Sequence, residues 1–88
     1  MIAKEQPYLL AMSQIKLLCT PDMFRRVDLI PTENGYQLHL QASKKTLIVA
    51  RRDGDKPRCW LSVDRALMYI REHLGSLDLI YLHLKEQP

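Results

Sequence analysis

Residues 26–50 have the sequence RVDLIPTENGYQLHLQASKKTLIVA, and this stretch decides the fold of the chain. Val27 and Leu29 alternate with polar residues, and Asn34-Gly35 is the strongest short-range signal for a β-hairpin. Residues 36–42 then alternate again, with Tyr, Leu, Leu and Ala on one face and Gln, His and Gln on the other. We therefore predict two antiparallel strands that bury one face each.

A third strand is predicted at residues 46–50, which follow a turn at residues 43–45. These five residues, TLIVA, are aliphatic or β-branched and are typical of a central strand that is buried on both faces. The Asp53-Gly54-Asp55 turn predicts a fourth strand at residues 57–61, and its opening proline suggests an edge position. Three consecutive short connections indicate an antiparallel meander.

The clearest helix in the sequence spans residues 62–74. Ser62 is a good N-cap, Asp64 is placed favourably in the first turn, and Gly75 supplies a C-terminal stop. Apolar residues at helical spacing predict one buried stripe: Val63, Ala66, Leu67, Ile70 and Leu74. The apolar residues 77–84 follow, and we expect a last strand there, with a short helix as the alternative.

Apolar spacing also predicts an N-terminal helix from Pro7 to Cys19, which Pro21 ends. Residues 15–19 could alternatively form a strand. Met12 could be a natural start, which would leave residues 1–11 as a dispensable extension. The predicted order is thus α-β-β-β-β-α-β, an α+β fold with an antiparallel meander sheet of four to five strands, an N-terminal helix and a helix at about 62–74.

The 88 residues are expected to form a single domain, 1–88, with flexible tails at 1–6 and 85–88. The sequence contains no apolar segment long enough to cross a membrane and no secretory leader, so we expect a cytoplasmic protein without membrane contact. Cys19 and Cys59 are predicted to be reduced and partly buried, with a disulfide as the minor alternative. A domain this small has a thin stability margin, which favours a homodimer.

Catalytic and metal-binding patterns are missing from the sequence. His39, His73 and His83 have no supporting neighbours, the serines lack a nucleophile elbow, and three glycines cannot form a glycine-rich phosphate loop. We therefore expect no enzyme activity, no metal site and no cofactor.

The positive charge is focused in residues 44–58, where six cations against two aspartates give +4, compared with +3 for the whole chain. A focused basic segment on a β-hairpin can contact a phosphate backbone, and a tryptophan on the same strand can stack on an unpaired base. The candidate nucleic-acid-binding residues are Lys44, Lys45, Arg51, Arg52, Lys56, Arg58 and Trp60. The competing interpretations are a solvated, edge-protecting turn and a buried tryptophan.

Residues 46–75 also resemble a protein family. Ala50-Arg51-Arg52 ends a strand, a turn and Pro57-Arg58-Cys59-Trp60 follow, and Leu61 to Ala66 open a helix. This pattern is similar to small partition-associated (ParC-like) accessory proteins of bacterial plasmids and integrative elements, although here a second arginine and an aspartate precede the turn glycine. The resemblance implies a bacterial mobile element and a role in plasmid maintenance or transfer. The predicted meander followed by a helix also looks like the single-strand-binding fold of the dimeric Whirly proteins.

These observations predict a non-enzymatic accessory protein of a bacterial plasmid or integrative element. It would bind DNA through the basic hairpin at 44–58 with low sequence specificity. The alternative is a protein-protein interaction adaptor that binds no nucleic acid. That adaptor would use an edge strand or the polar sheet face at Gln37, His39 and Gln41.

Overall fold

The structure is a computed structural model that describes residues 8–20, 23–42, 45–75 and 80–83. It is an α+β domain in which two helices accompany a five-stranded mixed sheet with the strand order β1-β4-β3-β2-β5. The elements, in chain order, are β1 (Tyr8–Ala11), α1 (Met12–Leu18), β2 (Phe24–Thr32), β3 (Gly35–Ala42), β4 (Thr46–Ala50), α2 (Val63–Leu74) and β5 (Ile80–Leu82).

The three central strands confirm the predicted hairpin and the strand after it. β2 pairs antiparallel with β3 from Phe24 opposite Ala42 to Thr32 opposite Gly35, and β3 pairs antiparallel with β4. The turn at Asn34 requires a glycine next to it, since Gly35 has φ +123°. Burial alternates in β3, where Leu38 and Leu40 are fully buried while Gln37 and His39, which precede them, are half-buried.

Both edges of the sheet correct the prediction of a purely antiparallel meander. β1 lies parallel to β4, and β5 lies parallel to β2. The predicted helix at 7–19 was therefore too long, because Tyr8–Ala11 extend along β4 and the helix begins only at Met12. Backbone groups on the outer edge of β4 need partners, and β1 supplies them. The observed order is β-α-β-β-β-α-β.

The predicted fourth strand at residues 57–61 is also wrong. Only two isolated bridges form there: Pro57 opposite Ala50 of β4, and Trp60 opposite Tyr36 of β3. Because β1 occupies the outer edge of β4, this segment is placed between the ends of β4 and β3. It connects the two central strands at one end of the sheet and adds no strand of its own.

Helix α2 forms as predicted. The Ser62 hydroxyl accepts a hydrogen bond from the Arg65 N–H at 3.2 Å, and Gly75 ends the helix with φ +74°. Its buried residues Ala66, Ile70 and Leu74 join a single core cluster with Met12 and Ile15 of α1 and with apolar residues of β2, β3 and β4. The hydrophobic effect therefore fixes both helices against the same side of the sheet.

The structure also bears on the predictions for the two cysteines, the last strand and membrane spans. Cys19 and Cys59 are both unpaired and half-buried, as expected. The last segment is a strand at Ile80–Leu82, while residues 77–79 and 84 lie outside the described part of the chain, as do the predicted tails at 1–6 and 85–88. No helix in the described ranges is long and apolar enough to span a membrane.

Candidate functional site

The basic hairpin forms a closed loop at the end of β4. Arg51 N–H donates to the Lys56 carbonyl at 2.8 Å, Gly54 N–H donates to the Arg51 carbonyl at 2.8 Å, and Arg58 N–H donates to the Val49 carbonyl at 2.9 Å. Within the turn, the Asp53 carboxylate accepts a hydrogen bond from the Asp55 N–H at 3.1 Å. The sequence forms this loop because Gly54 can adopt φ +80°.

Four cations of this loop surround one concave surface, the cationic groove. It has a volume of about 660 Å³ and is lined by Asn34, Gln37, Arg51, Arg52, Lys56, Pro57, Arg58 and Cys59. No carboxylate of the described residues lines it. Arginine and lysine side chains bind phosphate oxygens through charged hydrogen bonds, and the amides of Asn34 and Gln37 can donate neutral ones.

Among the described residues, the cations of the groove have no ion pair with an acidic side chain. Both ion pairs found within the described residues, Arg26–Asp28 and His83–Asp28, lie elsewhere in the structure. Arg51, Arg52, Lys56 and Arg58 are all exposed. Their charge therefore remains available to an anionic ligand, which favours a binding surface over a turn whose charges are paired off.

Arg58 is held in place by two aromatic rings. Its guanidinium carbon lies 5.2 Å from the centroid of the Trp60 ring and 4.8 Å from that of Tyr69, and the two rings are 4.7 Å apart. Burial raises the pKa of the Tyr69 hydroxyl, and the nearby Arg58 charge opposes that shift. This cation–π contact orients one cation of the groove without neutralising it.

Trp60 itself is core rather than surface. Its exposed fraction is 7%, and it belongs to the central hydrophobic cluster. A ring buried in this way cannot stack on a base without unpacking the core, so Trp60 drops out of the candidate site. Its ring instead contacts the guanidinium of Arg58, which lines the groove.

The predicted basic patch is divided between the two ends of β4. Lys45 precedes that strand and Arg51 follows it, which separates their backbones by about 20 Å at roughly 3.3 Å per residue. The Lys45 ammonium lies 5.1 Å from the centroid of the Tyr8 ring, away from the groove. Lys44 lies outside the described residues. The structure thus brings four of the seven candidates together around one groove.

The two amides of the groove are not predicted as site residues by any sequence pattern. The sequence predicts Asn34 only as a turn residue and Gln37 only as part of the polar sheet face. The hydrogen bonds between Tyr36 and Trp60, with N···O distances of 2.8 and 2.9 Å, bring the β2–β3 hairpin against the basic loop. The alternation of β3 places Gln37 off the core face, but no local pattern reveals that the hairpin and the basic loop meet.

A second polar cluster, the Asp28 network, lies on the sheet face opposite the core. Asp28 is only 2% exposed and accepts hydrogen bonds from Gln41 at 2.9 Å and Arg26 at 3.2 Å, and it contacts His83 Nε2 at 3.0 Å. Thr46 in turn donates to Gln41 at 2.7 Å. Burial raises the pKa of Asp28. The hydrogen bonds from His83, Gln41 and Arg26 and the Arg26 charge together lower it by more, so the pKa of Asp28 lies below its ordinary value.

The histidines take structural positions in this arrangement. His39 Nε2 lies 3.1 Å from the Gln37 side-chain oxygen, and burial lowers the pKa of His39 against the attraction of Asp28. His73 packs on the Tyr69 ring at 4.2 Å. In the described part of the chain, no three His, Cys, Asp or Glu side chains form a cluster that could hold a metal ion.

Comparisons of this chain with protein-family models, with curated protein sequences and with solved structures found no match.

Proposed function

We propose that this chain is a non-enzymatic accessory protein that binds nucleic acid, DNA in the first instance, through the cationic groove. The observation that carries the proposal is the convergence of Arg51, Arg52, Lys56 and Arg58 on one groove, where no carboxylate of residues 8–20, 23–42, 45–75 or 80–83 lines the surface or pairs with them. Such a surface recognises backbone phosphate and no particular base sequence. The origin in a bacterial plasmid or integrative element rests on the resemblance of residues 46–75 alone.

The groove sets the expected salt dependence. If all four cations neutralise phosphates, the slope of log affinity against log salt is about −2.8 for single strands and −3.6 for duplexes. Raising the salt from about 50 to 200 mM should then weaken binding roughly 50- to 150-fold. With two cations left, the same change in salt should weaken binding only about 7- to 12-fold.

The test is fluorescence anisotropy with labelled single-stranded and duplex oligonucleotides at these two salt concentrations. Wild type is compared with Arg51→Ala/Arg52→Ala and with the control Arg65→Ala/Arg71→Ala, which removes the same charge from exposed positions of α2. We expect the groove variant to lose both affinity and salt slope while the control changes little. Equal losses in the two variants, or no saturable binding at 50 mM, would refute the proposal.

A second candidate function is protein recognition by an adaptor. It is favoured by the half-buried polar sheet face at Gln37, His39 and Gln41, which lies opposite the helices. Against it, Gln41 already hydrogen-bonds both Asp28 and Thr46. A pull-down that compares wild type with His39→Ala, which changes the polar face outside the cationic groove, separates this candidate from the first. The proposed homodimer is tested by sedimentation equilibrium at micromolar concentration.

A further inference from the structure

A second concave surface adjoins the cationic groove on the other side of the β2–β3 turn. This turn pocket has a volume of about 550 Å³, and its lining includes Pro31, Glu33, Tyr36 and Leu61. Asn34 lines both surfaces, so the two adjoin at that residue. A strand that extends along the groove past Asn34 can therefore reach the turn pocket.

The two surfaces differ in chemistry. The groove is lined by four cations, whereas the turn pocket has no cation in its lining and one carboxylate, that of Glu33. A phosphate would be repelled by Glu33 and would find no positive charge in the pocket. A neutral, flat ring fits better, because proline, tyrosine and leucine side chains offer apolar contact and a carboxylate can accept a hydrogen bond from a base N–H, such as N3–H of an unpaired thymine.

Hydrogen bonds within the protein hold the turn that forms the turn pocket. The Thr32 hydroxyl donates to the Gly35 carbonyl at 2.7 Å and accepts from the Asn34 N–H at 3.2 Å. The paired hydrogen bonds between Tyr36 and Trp60 fix the far side of the turn against the core. Leu61 remains 83% exposed next to the buried Trp60. Binding here would require little ordering of the protein, which favours affinity.

We propose that the turn pocket receives an unpaired base of a single-stranded nucleic acid whose phosphates lie in the cationic groove. This inference rests on the proposed function and adds the ligand class, namely single strands in preference to duplex. A base within a duplex is stacked and paired, so it cannot enter the pocket unless the duplex opens. An unpaired base meets no such cost, and base stacking of this kind tolerates any sequence.

The experiment compares a labelled thymidine oligonucleotide with an abasic strand of the same length, which keeps every phosphate and lacks the bases. The variant Leu61→Ser changes the pocket at an exposed side chain, and Leu17→Ser is the control because Leu17 on α1 is 86% exposed and lines neither surface. Trp60 fluorescence monitors folding of both variants. Wild type should bind the thymidine strand about 5- to 150-fold more tightly than the abasic strand.

We expect Leu61→Ser to reduce the ratio of the affinity for the thymidine strand to that for the abasic strand. Leu17→Ser should leave this ratio unchanged. Equal affinity of wild type for the two strands, with the salt dependence of the groove retained, would refute the base pocket and leave the proposed function intact. A ratio that Leu61→Ser leaves unchanged would also refute the pocket. Absence of binding to either strand at 50 mM salt, with duplex binding retained, would overturn this inference alone, and absence of binding to both strands and to duplex would overturn the proposed function as well.

Discussion

The substitution Gly35→Ala tests whether the approach of the β2–β3 turn to Trp60 holds the candidate site together. A Cβ atom at residue 35 would lie 2.5 Å from the Trp60 carbonyl oxygen, well inside the closest contact that real Cβ atoms make. Gly35 also has φ +123°, which side-chain-bearing residues rarely adopt and which costs about 1–3 kcal/mol. To relieve the contact, Trp60 has to move away from Tyr36.

That movement breaks the two backbone hydrogen bonds between these residues, which contribute roughly 0.5–1.5 kcal/mol each. We therefore expect Gly35→Ala to lower the free energy of unfolding by about 2–6 kcal/mol, out of roughly 4–13 kcal/mol for a chain of this length. The control is Gly75→Ala, where φ is +74° and no atom lies within 4 Å of the added Cβ. Gly75 has ψ −148°, so this control carries only the backbone cost of a conformation that side-chain-bearing residues rarely adopt, about 1–3 kcal/mol.

Urea unfolding measures both variants, with Trp60 as the only tryptophan of the chain and a buried probe of the contact. Any gain from a less flexible unfolded chain is similar in the two variants and cancels in their comparison. A loss of stability in Gly35→Ala no larger than in Gly75→Ala would refute the argument, because the close approach to Trp60 would then contribute nothing.

Two further predictions concern the Asp28 network and the cap of α2. Asp28→Asn should lower the free energy of unfolding by about 2–3 kcal/mol at pH 7, because hydrogen bonds to a buried carboxylate are lost. The folded-state pKa of Asp28 lies below its unfolded value, so this stabilisation is present above about pH 4 and is lost as the pH falls through the folded-state pKa. In urea titrations, the difference in stability between wild type and Asp28→Asn should be smaller at pH 3 than at pH 7, and a difference that stays constant would contradict the assignment. Ser62→Ala should cost about 1 kcal/mol through loss of the bond to the Arg65 N–H, whereas Ser13→Ala, an exposed control in α1, should cost less.

The groove illustrates what a local pattern predicts about a candidate site. The cations at 51, 52, 56 and 58 are close in sequence around a three-residue turn, so their convergence follows from the chain itself. Lys45 is equally close in sequence to Arg51, yet a five-residue strand separates them. The position of Trp60 two residues after Arg58 predicts a stacking residue. Its ring lies instead in the hydrophobic core, together with apolar residues of α2.

The sequence by itself determined the central antiparallel strands, helix α2 and the position of the basic loop. Periodicity, the Asn34-Gly35 turn and the Ser62 cap act over a few residues, and such local signals need no knowledge of the rest of the chain. Only the tertiary structure decided the parallel edges β1 and β5, the position of 57–60 between β3 and β4, and the placement of the groove next to the turn pocket. Each of these depends on which distant segment satisfies an open strand edge or fills a space in the core. The short apolar runs at 8–11 and 80–82 fit several neighbours until packing and backbone hydrogen bonding select one.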